Sequence, residues 1–308
     1  NKDWRAYVDF VNDIVVSGLC DVTLASTRYL QNQVDEQWLI ANECAPLLEV
    51  QLKLAPPRAV YTPLMARTAN KDGMRDVTDS WLSTFVNVAT LVGRIDGVEG
   101  EGDYLHDVQM DIAVKYSVSN VNKKITVSQR KCEEFRDMFM SYSYLWMDDI
   151  EKTFKAWKEE NKQEGEDVID PDPPLSAFDA QIVKFKALEA EIRDLPSTKV
   201  FGPFKIDAKP IKQAISTWVS KWRYKFTQHL LDDLVGKIGD LISFVSEASV
   251  LLEKDVPDGD KDALIEVMGC LRDVRARTEA TDAMFDPLRQ TVALLKKFNV
   301  QIDDATMQ

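Results

Sequence analysis

Histidine is scarce in this chain of 308 residues: only His106 and His229 are present. His229 sits on a predicted helix beside Leu230 and reads as a packed or hydrogen-bonded side chain before it reads as a metal ligand. Cysteine is scarce too. Cys20, Cys44, Cys132 and Cys270 lie far apart and form no CxxC pair. That argues against a disulfide framework or a zinc cluster and favours reduced, buried thiols in a cytoplasmic setting. No run of 18 apolar residues occurs, and no basic stretch leads into an apolar core. The expectation is therefore a chain that is neither secreted nor membrane-spanning. A glycine-rich loop ending in Gly-Lys-Ser/Thr, which would cradle a nucleotide's phosphates, is missing as well. The glycines at 93, 97, 100 and 102 alternate with Asp96, Glu99, Glu101 and Asp103, and those carboxylates would repel a nucleotide. Positive charge is in deficit: 38 Lys and Arg stand against 51 Asp and Glu, a net charge of −13. Such a surface repels nucleic acid and anionic lipid, whose capture relies on Lys and Arg displacing counterions.

Core-forming residues are plentiful. Hydrophobic side chains make up 45% of the chain and charged ones 29%, enough for two domains or one extended array of helical bundles. Over Asp3–Gln33 the residues Trp4, Val8, Val11, Ile14, Val15 and Leu19 recur at helical spacing, which predicts one buried face. Leu48–Leu54 then alternates strictly between apolar and polar, the pattern of a half-buried strand. Pro56-Pro57 ends it, and Ala59–Thr62 is placed to return antiparallel. Helical spacing resumes at Met74, Val77, Trp81, Phe85, Val88 and Val92, and stops at a surface loop over Gly93–Asp103. The strongest register is Cys132, Phe135, Phe139, Tyr142, Trp146, Ile150, Phe154 and Trp157. Whether Tyr104–Lys124 joins that helix is open, because Val118, Asn120, Val121 and Asn122 are weak helix formers. Glu159–Asp172 carries seven acids against one lysine before Pro173-Pro174, a linker or boundary. Ser176 and Asp179 form an acidic capping pattern ahead of Phe178, Ile182, Phe185, Leu188 and Ile192. A turn at Gly202-Pro203, between Val200-Phe201 and Phe204–Ile206, predicts a second small hairpin. From Ile211 to Leu252 one apolar register persists, interrupted only by the possible bend at Gly236 and Gly239. Glu266–Lys297 reads as two amphipathic helices. One carries Leu264, Met268, Leu271 and Val274; the other opens at Asp286-Pro287 and carries Leu288, Val292, Leu295 and Phe298.

The expected fold is thus mainly α: elongated helical bundles with two small antiparallel β-hairpins. Residues 1–158 form an N-terminal bundle with a hairpin near 47–62, and 159–175 an acidic linker. Residues 176–308 form a C-terminal bundle with a hairpin near 199–207. The side chains expected to carry its cores are Trp146, Trp218, Trp222, Phe226, Leu271, Phe285 and Leu295.

Three strings invite a chemical reading. Asp258–Asp262 imitates the start of a calcium loop, but Ala263 replaces the required glycine and Gly269 stands where a bidentate glutamate is needed. Helix capping explains the acids better. Asp148-Asp149 cannot act as an acid–base pair, since neighbours on a helix point about 100° apart. The Trp218/Trp222/Phe226 ladder, flanked by Lys212, Lys221, Arg223 and Lys225, could stack on single-stranded nucleic acid. Its spacing of four places the rings on one stripe with Ile211 and Ile215, which is how a helix buries a core. The basic rim is then free for an acidic partner, with Glu159–Asp172 one candidate. No catalytic, cofactor-binding or metal-binding residue is assigned.

The order of residues goes further than their composition. Tyr142–Asp149 (YSYLWMDD), Thr198–Lys212 (TKVFGPFKIDAKPIK), Phe226–Leu230 (FTQHL) and Glu266–Lys297 (EVMGCLRDVRARTEATDAMFDPLRQTVALLKK) together resemble the tail of dynein heavy chains just before the linker. The axonemal branch fits best, chiefly through the first and last strings. At Gly202-Pro203 the chain departs from the family, which usually has an aromatic after the glycine. The resemblance covers about 130–300. It implies a non-catalytic structural segment of a ciliary or flagellar motor whose ATPase ring lies elsewhere in the parent chain. It implies as partners other heavy-chain tails, intermediate chains and neighbouring arm components. No nucleic acid, membrane or cofactor is expected, and no direct grip on the acidic microtubule. Two alternatives stay open: a generic helical scaffold or adaptor without motor context, and an enzyme with an unfamiliar site.

Overall fold

The computed structural model describes residues 2–95, 102–162, 172–253 and 261–302. The loop expected at 93–103, the acidic linker at 159–172 and the acidic run at 258–262 lie partly outside the described residues. The fold is mainly helical with one small sheet, and it divides into two compact units. The first comprises residues 1–147 and 192–216, the second 148–191 and 217–308.

In the first unit, α1 (Lys2–Gln33) packs on α5 (Ile112–Met140), with α2 (Glu36–Ala41), α3 (Met74–Asn87) and α4 (Leu105–Met110) around them. One core gathers Cys20, Ala89, Tyr104, Val108 and Val114. The buried face of α1 is not the stripe its apolar residues outline. Val8 is buried, but Trp4 and Ile14 are 59% and 55% exposed. Asn12, Thr23 and Thr27 are buried in their place because each polar atom finds a partner. Tyr104 Oη donates to Asn12 Oδ1 at 2.6 Å, Thr23 Oγ1 to the Leu19 carbonyl at 2.8 Å, and Ser117 Oγ to Thr27 Oγ1 at 2.8 Å. A satisfied hydroxyl or amide buries at little cost, and apolar periodicity cannot detect it.

The two expected hairpins exist, and they are one sheet. β1 (Leu48–Ala55) pairs antiparallel with β2 (Arg58–Thr62), and β3 (Thr198–Phe201) with β4 (Phe204–Asp207). β1 and β4 then join in parallel, matching Leu48 to Phe204 and Val50 to Ile206, in the order β2-β1-β4-β3. Joining removes one open edge from each ribbon, which a lone two-stranded ribbon would leave exposed. The buried residues Val50, Leu52, Ala59, Tyr61, Phe204 and Ile206 follow the alternation of their strands. On the other side, Lys205 Nζ meets Glu49 Oε1 at 2.6 Å.

The register from Cys132 to Trp157 does not form one helix. It is cut into α5, α6 (Tyr144–Met147) and α7 (Ile150–Glu160). Asp149 begins α7 by accepting from the Glu151 and Lys152 amides at 2.9 and 3.3 Å. Upstream, α5 does include Val118–Asn122, since tertiary packing outweighs weak propensity.

The second unit is built from α7, α8 (Leu175–Asp194), most of α9 (Lys209–Leu252) and α10 (Lys261–Lys297). α8 starts one residue before Ser176, so the expected cap lies inside the helix. Asp179 instead accepts from Lys297 Nζ at 2.7 and 2.9 Å. α9 is unbroken past Gly236 and Gly239, about 66 Å at ~1.5 Å per residue. α10 is likewise continuous, with Pro287 inside it and no break at Asp286. Between Leu234 on α9 and Leu288 on α10, Ala263 is the only buried residue among those described. Leu264 and Met268, expected on a covered stripe, are consequently exposed.

Candidate functional site

The aromatic and basic ladder is the feature of the sequence closest to a binding site. Trp222 and Phe226 are buried and Trp218 is half-buried. Trp222 stacks on Phe185 at 5.9 Å between ring centroids, and Phe226 meets Phe154 and Trp157 edge-on at 5.1 and 4.9 Å. Helix α9 supplies one ring per turn, while α7 and α8 supply the facing rings. Trp222 and Phe226 therefore pack against the protein's own rings, as core side chains do. The basic residues are answered as well. Arg223 pairs with Glu189 at 2.7 Å and Lys225 with Glu151 at 2.6 Å. Lys212 Nζ donates to the Arg193 carbonyl and to Ser197 Oγ at 2.9 and 3.0 Å. Lys221 lies over the Trp218 ring at 4.3 Å. Most of the acidic stretch, 163–171, lies outside the described residues. Its described residue Asp172 pairs with Lys158 at 2.7 Å and approaches His229 Nε2 at 3.5 Å.

His229 stacks on Phe178 at 5.8 Å and meets Phe154 edge-on at 5.2 Å, so it belongs to the aromatic cluster. No group of three or more His, Cys, Asp or Glu that could hold a metal occurs among the described residues. Asp149 is consumed as a cap, so Asp148-Asp149 forms no acid pair. Of the other side chains expected in the cores, Trp146 is buried and donates Nε1 to the Pro57 carbonyl at 3.1 Å, and Leu295 is buried. Leu271 and Phe285, expected in the cores, are instead 36% and 41% exposed, because α10 before Leu288 buries almost no side chain.

Residues that apolar spacing missed hold the first unit together. Asp35 caps α2 by accepting from the Gln37 and Trp38 amides, and Lys124 Nζ reaches it from α5 at 2.5 Å. The lysine and the amides hold its carboxyl below the usual range. The sequence signal is an Asp followed by Glu36, an N-cap pattern at a helix too short to show an apolar period. Tyr61 Oη donates to the Cys132 carbonyl, and burial raises both the phenol and the Cys132 thiol, the latter to about 12. Burial also raises the Cys20 thiol. Neither cysteine is poised as a nucleophile at neutral pH.

No family model matches this chain. Among curated proteins it is 34% identical to the dynein beta chain of the flagellar outer arm of Chlamydomonas reinhardtii, over 99% of this chain and 7% of that protein. It is 29% identical to the ciliary dynein beta chain of Tripneustes gratilla over 98% of this chain. To dynein axonemal heavy chain 17 of Homo sapiens it is 28% identical, again over 98%. The chain is related along its whole length to a segment of axonemal dynein heavy chains. It spans about 7% of the length of these relatives.

Proposed function

We propose that this chain is a non-catalytic structural segment of a ciliary or flagellar dynein heavy chain, within the tail next to the linker. In that reading it connects the ATPase head and linker to the tail base in the axoneme. It assembles there with other heavy-chain tails, intermediate chains and neighbouring arm components. The parent protein is a microtubule motor that hydrolyses ATP in another part of its sequence. The observation carrying this reading is similarity to axonemal dynein heavy chains along 99% of the chain, well beyond the strings quoted above. A generic scaffold would have no reason to keep that residue order.

The internal bookkeeping of the two units supports a mechanical role. Aromatic rings interlock and ion pairs close within the first unit and in the Phe154–Phe226 cluster of the second, so bending those parts must break many close contacts at once. Force arriving at one end is then passed on with little loss to internal deformation. Crosslinking mass spectrometry of intact axonemes tests the assignment: crosslinks from this segment to heavy-chain tails and intermediate chains are expected. Crosslinks confined to the motor ring, or ATP turnover by the purified chain above its blank, would refute it.

A further inference from the structure

Helices α3 and α5, closed at one end by α4, leave a surface groove of about 900 Å³. Its floor is apolar: Leu82 and Val86 of α3, and Val114 and Val118 of α5. Leu82 and Val114 are buried, while Val118 and Val86 are half-covered. Along α5 the lining positions recur every four residues through Val114, Val118, Asn122 and Thr126. They present one step per helical turn over about 20 Å. A slot of that length and pitch, open on one side, fits the ridge of another helix better than a compact small molecule.

The rim has a sign. Lys115 and Lys123 stand on the outer edge of the same α5 face, and the described residues lining the groove include no carboxylate. Within a chain of net charge −13, that is a local reversal. Among the described residues, Lys115 Nζ makes one polar contact, with Met110 Sδ at 3.2 Å, and Lys123 has no ion pair. The carboxylates on neighbouring turns are engaged elsewhere. Asp79 is held by Arg67 and Arg75, Asp107 by Arg94, and Asp111 Oδ1 caps α5 through the Val114 amide at 2.8 Å. Beside the groove, Arg75 Nη2 donates to Asn122 Oδ1 at 2.9 Å, while its buried Nη1 has no acceptor among the described residues.

From this geometry we infer that the α3–α5 groove docks an amphipathic helix of another polypeptide, one with an apolar stripe flanked by carboxylates. Lys115 and Lys123 are two turns apart, about 12 Å, so the docked helix places acidic residues seven or eight positions apart against them. The apolar floor supplies the affinity, and the two lysines select the charge and direction of the incoming helix. The assignment holds whatever the parent chain is.

Two designed helical peptides with the same leucine stripe test it. One carries glutamates and the other lysines beside the stripe, and each is titrated into the purified 308-residue chain by fluorescence anisotropy. The glutamate peptide is expected to bind saturably and at least tenfold more tightly than the lysine peptide. The double variant Lys115→Glu with Lys123→Glu, its fold checked by circular dichroism, is expected to reverse that preference. Equal binding of the two peptides, or an unchanged preference in the variant, would overturn the inference. Self-association of the chain that the glutamate peptide displaces and the double variant abolishes would overturn it too, by giving the groove to a second copy.

Discussion

At the scale of single residues, the tightest constraint is at the tip of the second hairpin. Gly202 has φ +55°, and a Cβ there would fall 2.4 Å from Ser128 Oγ and 2.8 Å from the Val34 carbonyl oxygen. The serine can turn away, but the carbonyl belongs to backbone and cannot. Gly202→Ala should therefore cost about 2–3 kcal/mol, read as a lowered denaturation midpoint with unchanged m-value. The cysteines divide by burial. Cys44 and Cys270 are half-buried, Cys20 and Cys132 buried. A maleimide at neutral pH should label the first pair quickly and the second only after unfolding. Equal rates at all four would contradict the packing around α1 and α5. Asp35 gives a pH test. Its folded pKa is depressed, so its contribution is complete above the unfolded value of about 3.9 and is lost as pH falls through the folded value. Asp35→Asn keeps a capping oxygen but loses the charge paired with Lys124 at the α2 N-terminus, and should destabilise the chain at pH 7 by about 0.5–1 kcal/mol. The gap from wild type should close in acid, where the native carboxyl is itself protonated.

At the scale of elements, local pattern and long-range pairing separate cleanly. Both hairpins were legible because alternation and turn residues are written within a dozen positions. Their union was not, since β1 meets β4 across 156 residues and parallel pairing leaves no local signature. The helices were legible as periodicity, but their ends were set by caps such as Asp149 and their faces by satisfied polar groups such as Asn12. Proline after Asp286 suits a helix start, whereas α10 simply carries Pro287 inside it. A proline inside a helix removes a hydrogen bond and crowds the preceding turn. Pro287→Ala should thus raise stability by about 1–3 kcal/mol, and a fall in melting temperature would show that the proline matches a local distortion. Because α9 beyond Leu234 and α10 before Leu288 bury almost no side chains, their amides should exchange with deuterium faster than those of Ile211–Leu234. Hydrogen exchange read by mass spectrometry would show this directly.

At the scale of the whole molecule, the excess of 51 acidic over 38 basic residues predicts no grip on an acidic filament. In co-sedimentation at low ionic strength the chain should stay in the supernatant; pelleting with microtubules would contradict that expectation. The relationship to axonemal dynein heavy chains extends the resemblance read from residues about 130–300 to the N-terminal part, at 34% identity over 99% of the chain. The sequence by itself determined the helical class, the two strand ribbons, the family and the absence of a phosphate loop, because periodicity, turn chemistry and residue order are properties of neighbours along the chain. Only the tertiary structure decided that the ribbons share one sheet, that Leu271 and Phe285 stay exposed, and that Lys115 and Lys123 border an apolar groove whose described lining holds no carboxylate. Those outcomes depend on which surfaces meet across tens to hundreds of residues, where burial and charge pairing are settled by packing in space.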